Sequence, residues 1–589
     1  MINDLWIHPG LVIVIGALAI PLLRGVWRQV YTVALPVAAF WLVLTTGPGT
    51  YGAYQFLGQD IICGKVDKLS LIFAHVFTLM AIIGAIYSLH VKEWGHQMAG
   101  FFYVGGSLGV TFAGDYLTLF VFWELMAFAS VFLVWYRKTQ QSIDAGYRYL
   151  LVHVAGGLFL LGGMLLRLNE VGNLVVGPIS TEGATLASYL IMIGFCLNAA
   201  VPPIHAWLPD AYPEATVAGA VFMCAFTTKT AVYALARVFP GHEILAILGA
   251  IMTVYGVGYA VIENNARRIL AYHIVSQVGY MVCGVGIGTQ MAINGTCAHA
   301  YAHIIYKALL FMGAGAVLEM TGRSKLSELG GLYKYMPLTM IWTVIGGISI
   351  SGFPLTSGFV SKSMIVAAAH HEHAAFLTFM MMLAGVGTFL SVGLKLPYFI
   401  WFGKDSGVKA KEAPLNMHIA MAIAAFLCIY MGIDYGFLYK LLPYPNHWAP
   451  YSTGHLLEMT QVLVLCGLGF FIFLKRLTPE PHLNLDVDYF YRYGARGFMW
   501  VARTPLNAMN DLLGDAYKNV GFRWIFMGVA RAASWFDWHI IDGILDGTAN
   551  TVRRIGDMAR RLQSGRLQYY VGFSALTLFF ILGIDLLLK

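Results

Sequence analysis

Charged residues are scarce in this chain, and their scarcity excludes most soluble folds. Only 11% of the 589 residues are charged, whereas 58% are hydrophobic and the mean hydropathy is +0.69. A soluble globular domain has about a quarter of its residues charged. The net charge of +7 does not indicate a nucleic-acid-binding protein, because the basic residues fall singly or in pairs between apolar runs. The composition therefore predicts a protein that crosses a membrane many times.

The chain also lacks the residue patterns of redox and metal centres. Its seven cysteines are scattered without a C-x-x-C pair, so neither a disulfide framework nor an iron–sulfur or zinc–thiolate site is indicated. No nucleotide or flavin motif is visible, and the long loops that would carry catalytic groups are missing. We therefore expect no bound cofactor or metal, no nucleic-acid partner and no enzymatic centre in this chain.

The pattern of a cleavable signal peptide is missing as well. The first apolar run follows Asp4 without a basic segment, and Arg24 and Arg28 come after it. This order predicts an uncleaved first helix whose amino end lies outside. Later basic clusters then fall on the cytoplasmic side, namely Arg137/Lys138, Arg267/Arg268, Arg323/Lys325, Lys404 to Lys411 and Lys475/Arg476. We expect a multi-pass protein of the inner (cytoplasmic) membrane.

Apolar runs long enough to span a bilayer repeat from residue 6 onward, and two of them are interrupted. Residues 198–215 contain Pro202, Pro203, Pro209 and Pro213, and residues 349–362 contain Gly352, Pro354 and Gly358. Irregular backbone at membrane depth is tolerated only where protein or a water-filled cavity satisfies its polar groups. Corresponding broken helices in the two halves of a transporter point to its translocation site.

The runs and their interruptions predict an all-α polytopic membrane protein with about 14 to 16 transmembrane helices. We expect two inverted five-helix repeats, each with a broken helix, because an odd number of helices inverts the second copy. The predicted segments are N-terminal transmembrane helices (1–96), the first repeat (97–242), the second repeat (243–436), an additional transmembrane helix (437–484), an amphipathic lateral helix (485–568) and a C-terminal anchor (569–589).

The segment after residue 485 differs in character from the rest of the chain. Its charged residues recur regularly, and near its end they share one helix face while apolar residues share another: Arg553, Asp557, Arg560 and Arg561 against Val552, Ile555 and Leu562. This pattern is typical of a helix lying in the membrane surface, which is expected to contact the lipid bilayer. Residues 489–566 would extend roughly 110 Å if fully helical, but Pro505 and several glycines predict breaks.

Two ionisable residues stand inside apolar runs of the first half. Glu124 lies near the middle of residues 117–136, and Lys229 lies in the run that follows the first interruption. An acidic residue at a helix centre costs roughly 2.5 to 3.5 kcal/mol on insertion scales, so a partner or a function is expected. If the two are close, they could exchange charge as a coupled pair or form a static ion pair that fixes helix packing.

A second group of ionisable residues lies in the second half. His299, His303 and Lys307 are spaced four apart and therefore lie along one helix face. Histidines both give and accept protons near neutral pH, as a relay requires; the alternatives are hydrogen-bonded packing and, less favoured, metal binding. Lys362 follows the second interruption and is expected to be buried, and Lys395 is a weaker candidate.

Several motifs occur together in one order along the chain. They are "WE" at Trp123/Glu124, P-x-H-x-W-L-P-D-A from Pro203, TKTAVYALAR, ARRILAYHIVSQVGYM, AHAYAHIIYKALLF and GFPLTSGFVSK. With them, the chain closely resembles the antiporter-like subunits of respiratory complex I and Mrp-type Na+/H+ antiporters, especially the D-type Mrp subunits. The resemblance is strong over residues 97–365, and the tail resembles the lateral helix of the L-type complex I subunits.

The resemblance implies that protons move along a hydrated polar axis at mid-membrane. It assigns a proton pathway to Glu124, Lys229, His299, His303, Lys307 and Lys362, and a secondary place to the motif histidine His205. One position departs from the pattern, because Asn198 stands where relatives usually carry a lysine and an asparagine cannot hold a charge. His273 is a speculative replacement for that lysine.

Two functions follow as hypotheses. In the first, the chain is a proton-translocating subunit, with Na+/H+ antiport as a variant, in an Mrp-like or complex I-like assembly whose other membrane subunits are its partners. In the second, favoured by the missing lysine, it is a non-conducting structural subunit that anchors partner subunits through its surface helix. The sequence does not decide between H+ and Na+.

Overall fold

The computed structural model describes residues 6–480, 485–563 and 565–589. Asp4 and the end of the predicted segment 437–484 lie outside the described residues. The chain forms two compact units, residues 1–488 and 489–589. The first contains both interrupted helices and all the residues of the predicted proton pathway.

The chain begins with helices and a hairpin. Helices α1 (Pro9–Ala17) and α2 (Gly25–Thr45) precede strands β1 (Gly49–Phe56) and β2 (Gln59–Val66), which pair antiparallel with Tyr54 opposite Ile61. Leu57 and Gly58 both have positive φ, which the tight two-residue turn requires. Asp67 then caps α3 (Lys68–Tyr87). The sequence analysis, which assigned residues 1–96 to transmembrane helices, did not anticipate this hairpin.

The first predicted repeat is helical throughout. Its elements are α4 (Trp94–Phe112), α5 (Tyr116–Trp135), α6 (Gln140–Val171), α7 (Leu186–Asn198), α8 (Trp207–Ala211), α9 (Val217–Met223) and α10 (Thr227–Val238). The predicted interruption is present between α7 and α8, where the prolines stand. A further short interruption, at residues 224–226, separates α9 from α10 and was not predicted.

The second predicted repeat contains the other broken helix. Its elements are α11 (Glu243–Ile262), α12 (Ala266–Ile287), α13 (Gln290–Thr321), α14 (Pro337–Ser351), α15 (Ser357–His371), α16 (Ala375–Thr388, continuing into π-helical stretches at Phe389–Lys395 and Tyr398–Phe402) and α17 (Leu415–Ile433). The interruption lies between α14 and α15, and Gly352 ends α14 at φ +76°. An inverted relation between the two groups of helices stays a prediction.

The first unit closes with α18 (Tyr435–Lys440) and α19 (Thr453–Ile472). Across the described residues, 12 helices are long and apolar enough to cross a membrane, and three shorter apolar helices accompany them. The prediction of a polytopic helical membrane protein is therefore confirmed. Helix α12 is buried along its whole apolar window, so it forms the centre of the first unit and positions the site.

The second unit is one long helical rod followed by a final helix. Helices α20 (Asp488–Val501), α21 (Asn507–Ala516), α22 (Met527–Phe536) and α23 (Asp542–Leu562) are joined by π-helical stretches, and α24 (Leu567–Leu588) ends the chain. The break predicted at Pro505 is wrong. Pro505 falls within the π-helical stretch Ala502–Leu506, because the wider turn accommodates a residue that cannot donate a backbone hydrogen bond.

Candidate functional site

Buried ionisable side chains from four helices form a row inside the first unit, here called the central axis. Its members are Lys229 on α10, His273 on α12, His299, His303 and Lys307 on α13, and Lys362 on α15. All six side chains are buried, and Lys362 is the most exposed at 6%. The structure therefore brings together the second-half residues that the sequence singled out, and adds Lys229 to them.

Lys229 begins the axis beside the interruption between α9 and α10. Its Nζ donates a hydrogen bond of 2.7 Å to the carbonyl oxygen of Cys224. A helix interruption releases backbone carbonyls from their usual partners, and a buried ammonium group stabilises them. The side chain is thus held by the helix break itself.

Lys362 occupies an analogous position at the second break. Its Nζ donates to the carbonyl oxygen of Ile350, at the end of α14, over 3.5 Å. The same Nζ lies 5.6 Å from the centre of the Tyr280 ring, a favourable place for a cation. Both lysines therefore sit at carbonyls that a broken helix frees.

The two histidines of α13 connect Lys362 to the middle of the axis. The ring of His299 lies 5.9 Å from that of Tyr280 and 5.9 Å from that of His303. His299 Nδ1 is 3.5 Å from the hydroxyl of Ser361, the residue before Lys362. The four-residue spacing of His299 and His303 therefore places their rings one after the other, next to the ring of Tyr280.

Lys307 lies between the two ends of the axis. It is within electrostatic range of Lys229, and His303 is within range of both lysines. Within the described part of the chain, Lys307 Nζ and both ring nitrogens of His303 have no hydrogen-bond partner although they are buried. Buried polar groups are almost always hydrogen-bonded, so this unpartnered cluster is an exception that calls for an explanation.

Glu124 lies apart from Lys229, and the direct pair considered from the sequence is not formed. Neither an ion pair nor a hydrogen bond joins the two side chains in the residues that the structure describes. Glu124 is half-buried on α5 and turns toward Gly157 of α6, where a Cβ atom would overlap its Oε1. The pairing failed as a prediction because sequence patterns do not give the direction of a side chain between helices.

Beside this carboxyl group, Asn198 has a partner that the sequence analysis did not single out. Its Oδ1 lies 2.8 Å from Nδ1 of His153, a fully buried histidine on α6. His153 was detectable in the sequence as the lone ionisable residue inside the apolar run of residues 150–166. Such isolation in an apolar run is the signal that identified Glu124.

His205, in the first break, also has an unanticipated partner. Its Nε2 lies 3.4 Å from Oδ2 of Asp486, and both side chains are almost fully buried. The hydroxyls of Tyr255 and Tyr272 donate to the same carboxylate. Burial raises the pKa of the Asp486 carboxyl, but these contacts outweigh burial and hold its pKa below the usual range. No sequence signal separates Asp486 from the other acidic residues of the tail.

The secondary candidates His273 and Lys395 have separate surroundings. His273 Nε2 is 2.6 Å from the hydroxyl of Ser391 on the π-helical continuation of α16, so it lies on the side of the second break and does not replace the lysine missing at Asn198. Lys395 Nζ donates to the carbonyl oxygens of Val261 and Glu263 over 2.6 and 2.8 Å. Lys395 therefore caps the end of α11, and lies off the row of side chains.

Two cavities lie near opposite ends of α12, and one of them is lined by Lys362 of the central axis. One of about 480 Å³ extends from buried Lys362 to exposed His370 and His371 near the end of α15, between that helix, α16 and α19. The other, of about 540 Å³, lies beside the start of α12 and α9, where Arg267, Thr216 and His96 line it. The cavities thus reach α12 from different ends.

Comparison with known proteins addresses the family of the chain. Residues 113–391 match the sequence family described as NADH:quinone oxidoreductase/Mrp antiporter, TM. The antiporter-like resemblance is confirmed. The matched residues include Glu124, both helix breaks and all six members of the central axis.

Relatives of known name cover more of the chain. This chain is 27% identical to NAD(P)H-quinone oxidoreductase chain 5 of Picosynechococcus sp., over 86% of this chain and 84% of that protein. It is 32% identical to the D subunit of the Na(+)/H(+) antiporter of Alkalihalophilus pseudofirmus, over 51% of this chain and 64% of that protein. By name, these relatives are a quinone oxidoreductase chain and an antiporter subunit.

A solved structure shares the fold over nearly the full length. A chain of the membrane-bound sulfane sulfur reductase, an archaeal respiratory membrane complex, superposes with a TM-score of 0.67 at 22% identity, covering 99% of this chain and 100% of that one. The fold, including a tail after the transmembrane helices, is therefore shared by the antiporter-like chain and a component of a larger assembly.

Proposed function

We propose that this chain is a proton-translocating subunit of a multisubunit membrane complex. The observation that carries the proposal is the row of buried ionisable groups from Lys229 through Lys307, His303 and His299 to Lys362. So many ionisable groups are costly inside a membrane protein unless they serve transport. Glu124 joins this row from the side of the first break.

Water supplies the connections between these groups. The side chains of Lys307 and His303 are polar, buried and unpartnered in the described part of the chain, and polar sites of this kind recruit ordered water. A water molecule between two ring nitrogens can accept a proton from one and give a proton to the next. The histidines and lysines thus act as successive proton-binding groups that short chains of water molecules connect.

The two cavities supply access from the two sides of the membrane. The cavity that ends at Lys362 serves one side, and the cavity at Arg267 serves the cytoplasmic side, where the basic clusters are expected. A proton thus enters near one break and leaves near the other.

The membrane is the cytoplasmic membrane, and the transported ion is H+, with Na+ as the exchanged ion in an antiport cycle.

Energy for transport comes from partner subunits or from an ion gradient, because this chain carries no motif for a nucleotide or flavin. The named relatives belong to quinone oxidoreductases and Na(+)/H(+) antiporters. We infer partners of the same kind, namely other membrane subunits of a complex I-like or Mrp-like assembly. In that assembly the chain itself transports ions and does not act as an enzyme.

The test is proton transport in membrane vesicles that contain the whole complex. Glu124→Gln and Lys229→Ala are compared with wild type by the quenching of a ΔpH-sensitive dye, and assembly is checked on native gels. We expect each variant to assemble and to transport at least ~10-fold more slowly, equivalent to about 1.4 kcal/mol of barrier. Full transport by both assembled variants would reject the proposed pathway.

The second candidate function is a non-conducting structural subunit, favoured by the uncharged Asn198 at a position where the family resemblance implies a lysine. Deleting residues 486–589 from the complex separates the two functions. Loss of assembly together with intact proton conduction by the remaining membrane part assigns the tail a purely structural role. Wild-type complex that assembles but shows no proton flux through this chain would support the structural function for the whole chain.

A further inference from the structure

His153 is an ionisable residue at the first break that neither the motifs nor the central axis includes. It lies on α6, is 1% exposed, and bonds Asn198 across the gap to α7. Its second ring nitrogen, Nε2, is buried and has no hydrogen-bond partner within the described residues. Nδ1 of the ring is thus held by Asn198, and Nε2 is available for proton transfer.

The position of His153 relative to Glu124 follows from the geometry of α6. The Glu124 carboxyl packs against Gly157, and Gly157 is four residues after His153. Positions four apart on a helix lie on the same face, about 5–6 Å from each other. Gly157 has no side chain to separate them, so the carboxyl group and the imidazole approach the same patch of α6.

The other groups around His153 do not compete for its proton. Its ring packs on those of Tyr149 and Trp207, with centroids 4.1 and 4.5 Å away. The Tyr149 hydroxyl is already 2.7 Å from that of Ser130. The nearest full charges on α6 and α8, Arg148 and Asp210, form an ion pair of 2.6 Å. Glu124, whose Oε1 is buried and unpartnered within the described residues, is left as the acidic group beside this face of α6.

We propose that His153, held in place by Asn198, carries protons between Glu124 and the first break. The inference rests on the proposed function. In the step, the O–H bond of the protonated Glu124 carboxyl breaks and an N–H bond forms at Nε2 of His153, directly or through one water. The Nδ1–H group donates to Asn198 Oδ1 throughout, which keeps Nε2 free to accept. The resulting imidazolium then gives the Nε2 proton to a water molecule on the side of the break, which restores the neutral ring, and the Glu124 carboxylate takes up the next proton.

Asn198 therefore has a positioning function. A lysine there would be a proton carrier itself, whereas the amide carbonyl oxygen fixes the tautomer and orientation of a histidine that carries the proton instead. The pair His153–Asn198 accounts for the departure from the family motif with a single physical substitution, a ring nitrogen for an amino group.

The experiment compares proton transport by the complete complex in membrane vesicles. His153→Gln keeps a polar group next to Asn198 but cannot be protonated, and the double variant with Asn198→Lys returns an ionisable group to the site. His242→Gln is the control, because His242 is a buried histidine whose Nε2 bonds the carbonyl of Ile179 away from both breaks. All variants are first checked for assembly.

We expect His153→Gln to reduce transport at least ~10-fold, the double variant to recover to within ~3-fold of wild type, and the control to match wild type. Full transport by His153→Gln, or an assembled double variant that stays inactive, overturns the inference. If His153→Gln does not assemble, Asn198→Ala decides. We expect slower transport with an altered pH profile, and an unchanged rate and profile overturn the inference.

Failure of this inference is distinguishable from failure of the proposed function. If Glu124→Gln abolishes transport while His153→Gln leaves it intact, the chain conducts protons but not through His153. If wild-type complex shows no proton flux, the proposed function fails and His153 has only its packing and hydrogen-bonding role.

Discussion

The two broken regions of the chain each hold a lysine through a backbone carbonyl, but the side chains around them differ. A lysine ammonium group donates to a released carbonyl at the interruption between α9 and α10, which follows the first break, and at the second break: Lys229 to Cys224 and Lys362 to Ile350. The surroundings differ, since carboxyl groups lie close to the first break, in Glu124 and Asp486, whereas hydroxyls and histidines surround the second. Under the proposed function, the first break is therefore where carboxyl groups would hold a proton, and the second is where basic groups would pass it on.

The strongest test of this comparison removes the link between the two breaks. Lys307→Met keeps the length of the side chain and leaves no described hydrogen bond broken, because Lys307 Nζ has no described partner. We expect normal assembly and a loss of transport of roughly 100-fold, as two factors of ten in rate. Proton uptake by vesicles measures it, and a variant with more than half of wild-type transport would disconnect the two breaks as functional units.

The second test removes the carboxylate that distinguishes the first break. Asp486→Asn removes the carboxylate that His205, Tyr255 and Tyr272 contact, and a buried polar group left without its partner costs about 1–3 kcal/mol. We expect a lower melting temperature and transport reduced about 10-fold. The His205→Gln/Asp486→Asn double variant should be more stable than the sum of the single changes predicts, because the two groups interact. Strict additivity in thermal unfolding would show that the contact contributes nothing.

The third test compares two glycines, each tightly packed against a different neighbour: Gly358 at the second break and Gly157 beside Glu124. A Cβ at Gly358 would overlap the backbone carbonyl of Ser349, whereas a Cβ at Gly157 would meet the movable side chain of Glu124. Gly358→Ala should therefore lower the yield of folded complex, with a cost of about 1–3 kcal/mol, while Gly157→Ala assembles and transports more slowly. Equal yields for the two variants, measured by size-exclusion chromatography, would contradict this difference between rigid and movable neighbours.

The smallest effect on transport is expected for Lys395. Its ammonium group caps the end of α11 through two carbonyls and lies outside the row of side chains. Lys395→Met should lower stability by about 1–3 kcal/mol through the unsatisfied carbonyls while transport per assembled complex stays near wild type. A loss of transport as large as that of Lys307→Met, at normal stability, would show that Lys395 is part of the proton pathway.

The interruptions of the helices were predictable because their causes are local. The pairs Pro202/Pro203 and Gly352/Pro354 cannot continue a helix, and the structure has its breaks there, whereas Pro209 lies within the short helix α8. The same rule failed at Pro505, where the chain absorbs the proline in a wider turn. The β-hairpin was missed because its residues carry little alternation of polar and apolar type, and its turn depends on positive φ at Leu57 and Gly58.

The contacts of the candidate site likewise divide into those that local sequence predicts and those that it does not. His299, His303 and Lys307 lie on one helix, so helical spacing alone places them together. The contact between His153 and Asn198 joins residues 45 positions apart in sequence, and the contact between His205 and Asp486 joins residues that are much farther apart. Periodicity has no information about such distant pairs.

By itself, the sequence determined that the chain is a polytopic helical membrane protein, where two of its helices break, and which ionisable residues lie in apolar surroundings. Those properties depend on the polarity and backbone freedom of single residues and their near neighbours. Only the tertiary structure decided which of the buried groups meet: Lys229 binds a carbonyl instead of Glu124, Asn198 meets His153, and Asp486 returns to His205. The direction in which a side chain points between packed helices depends on all the helices at once.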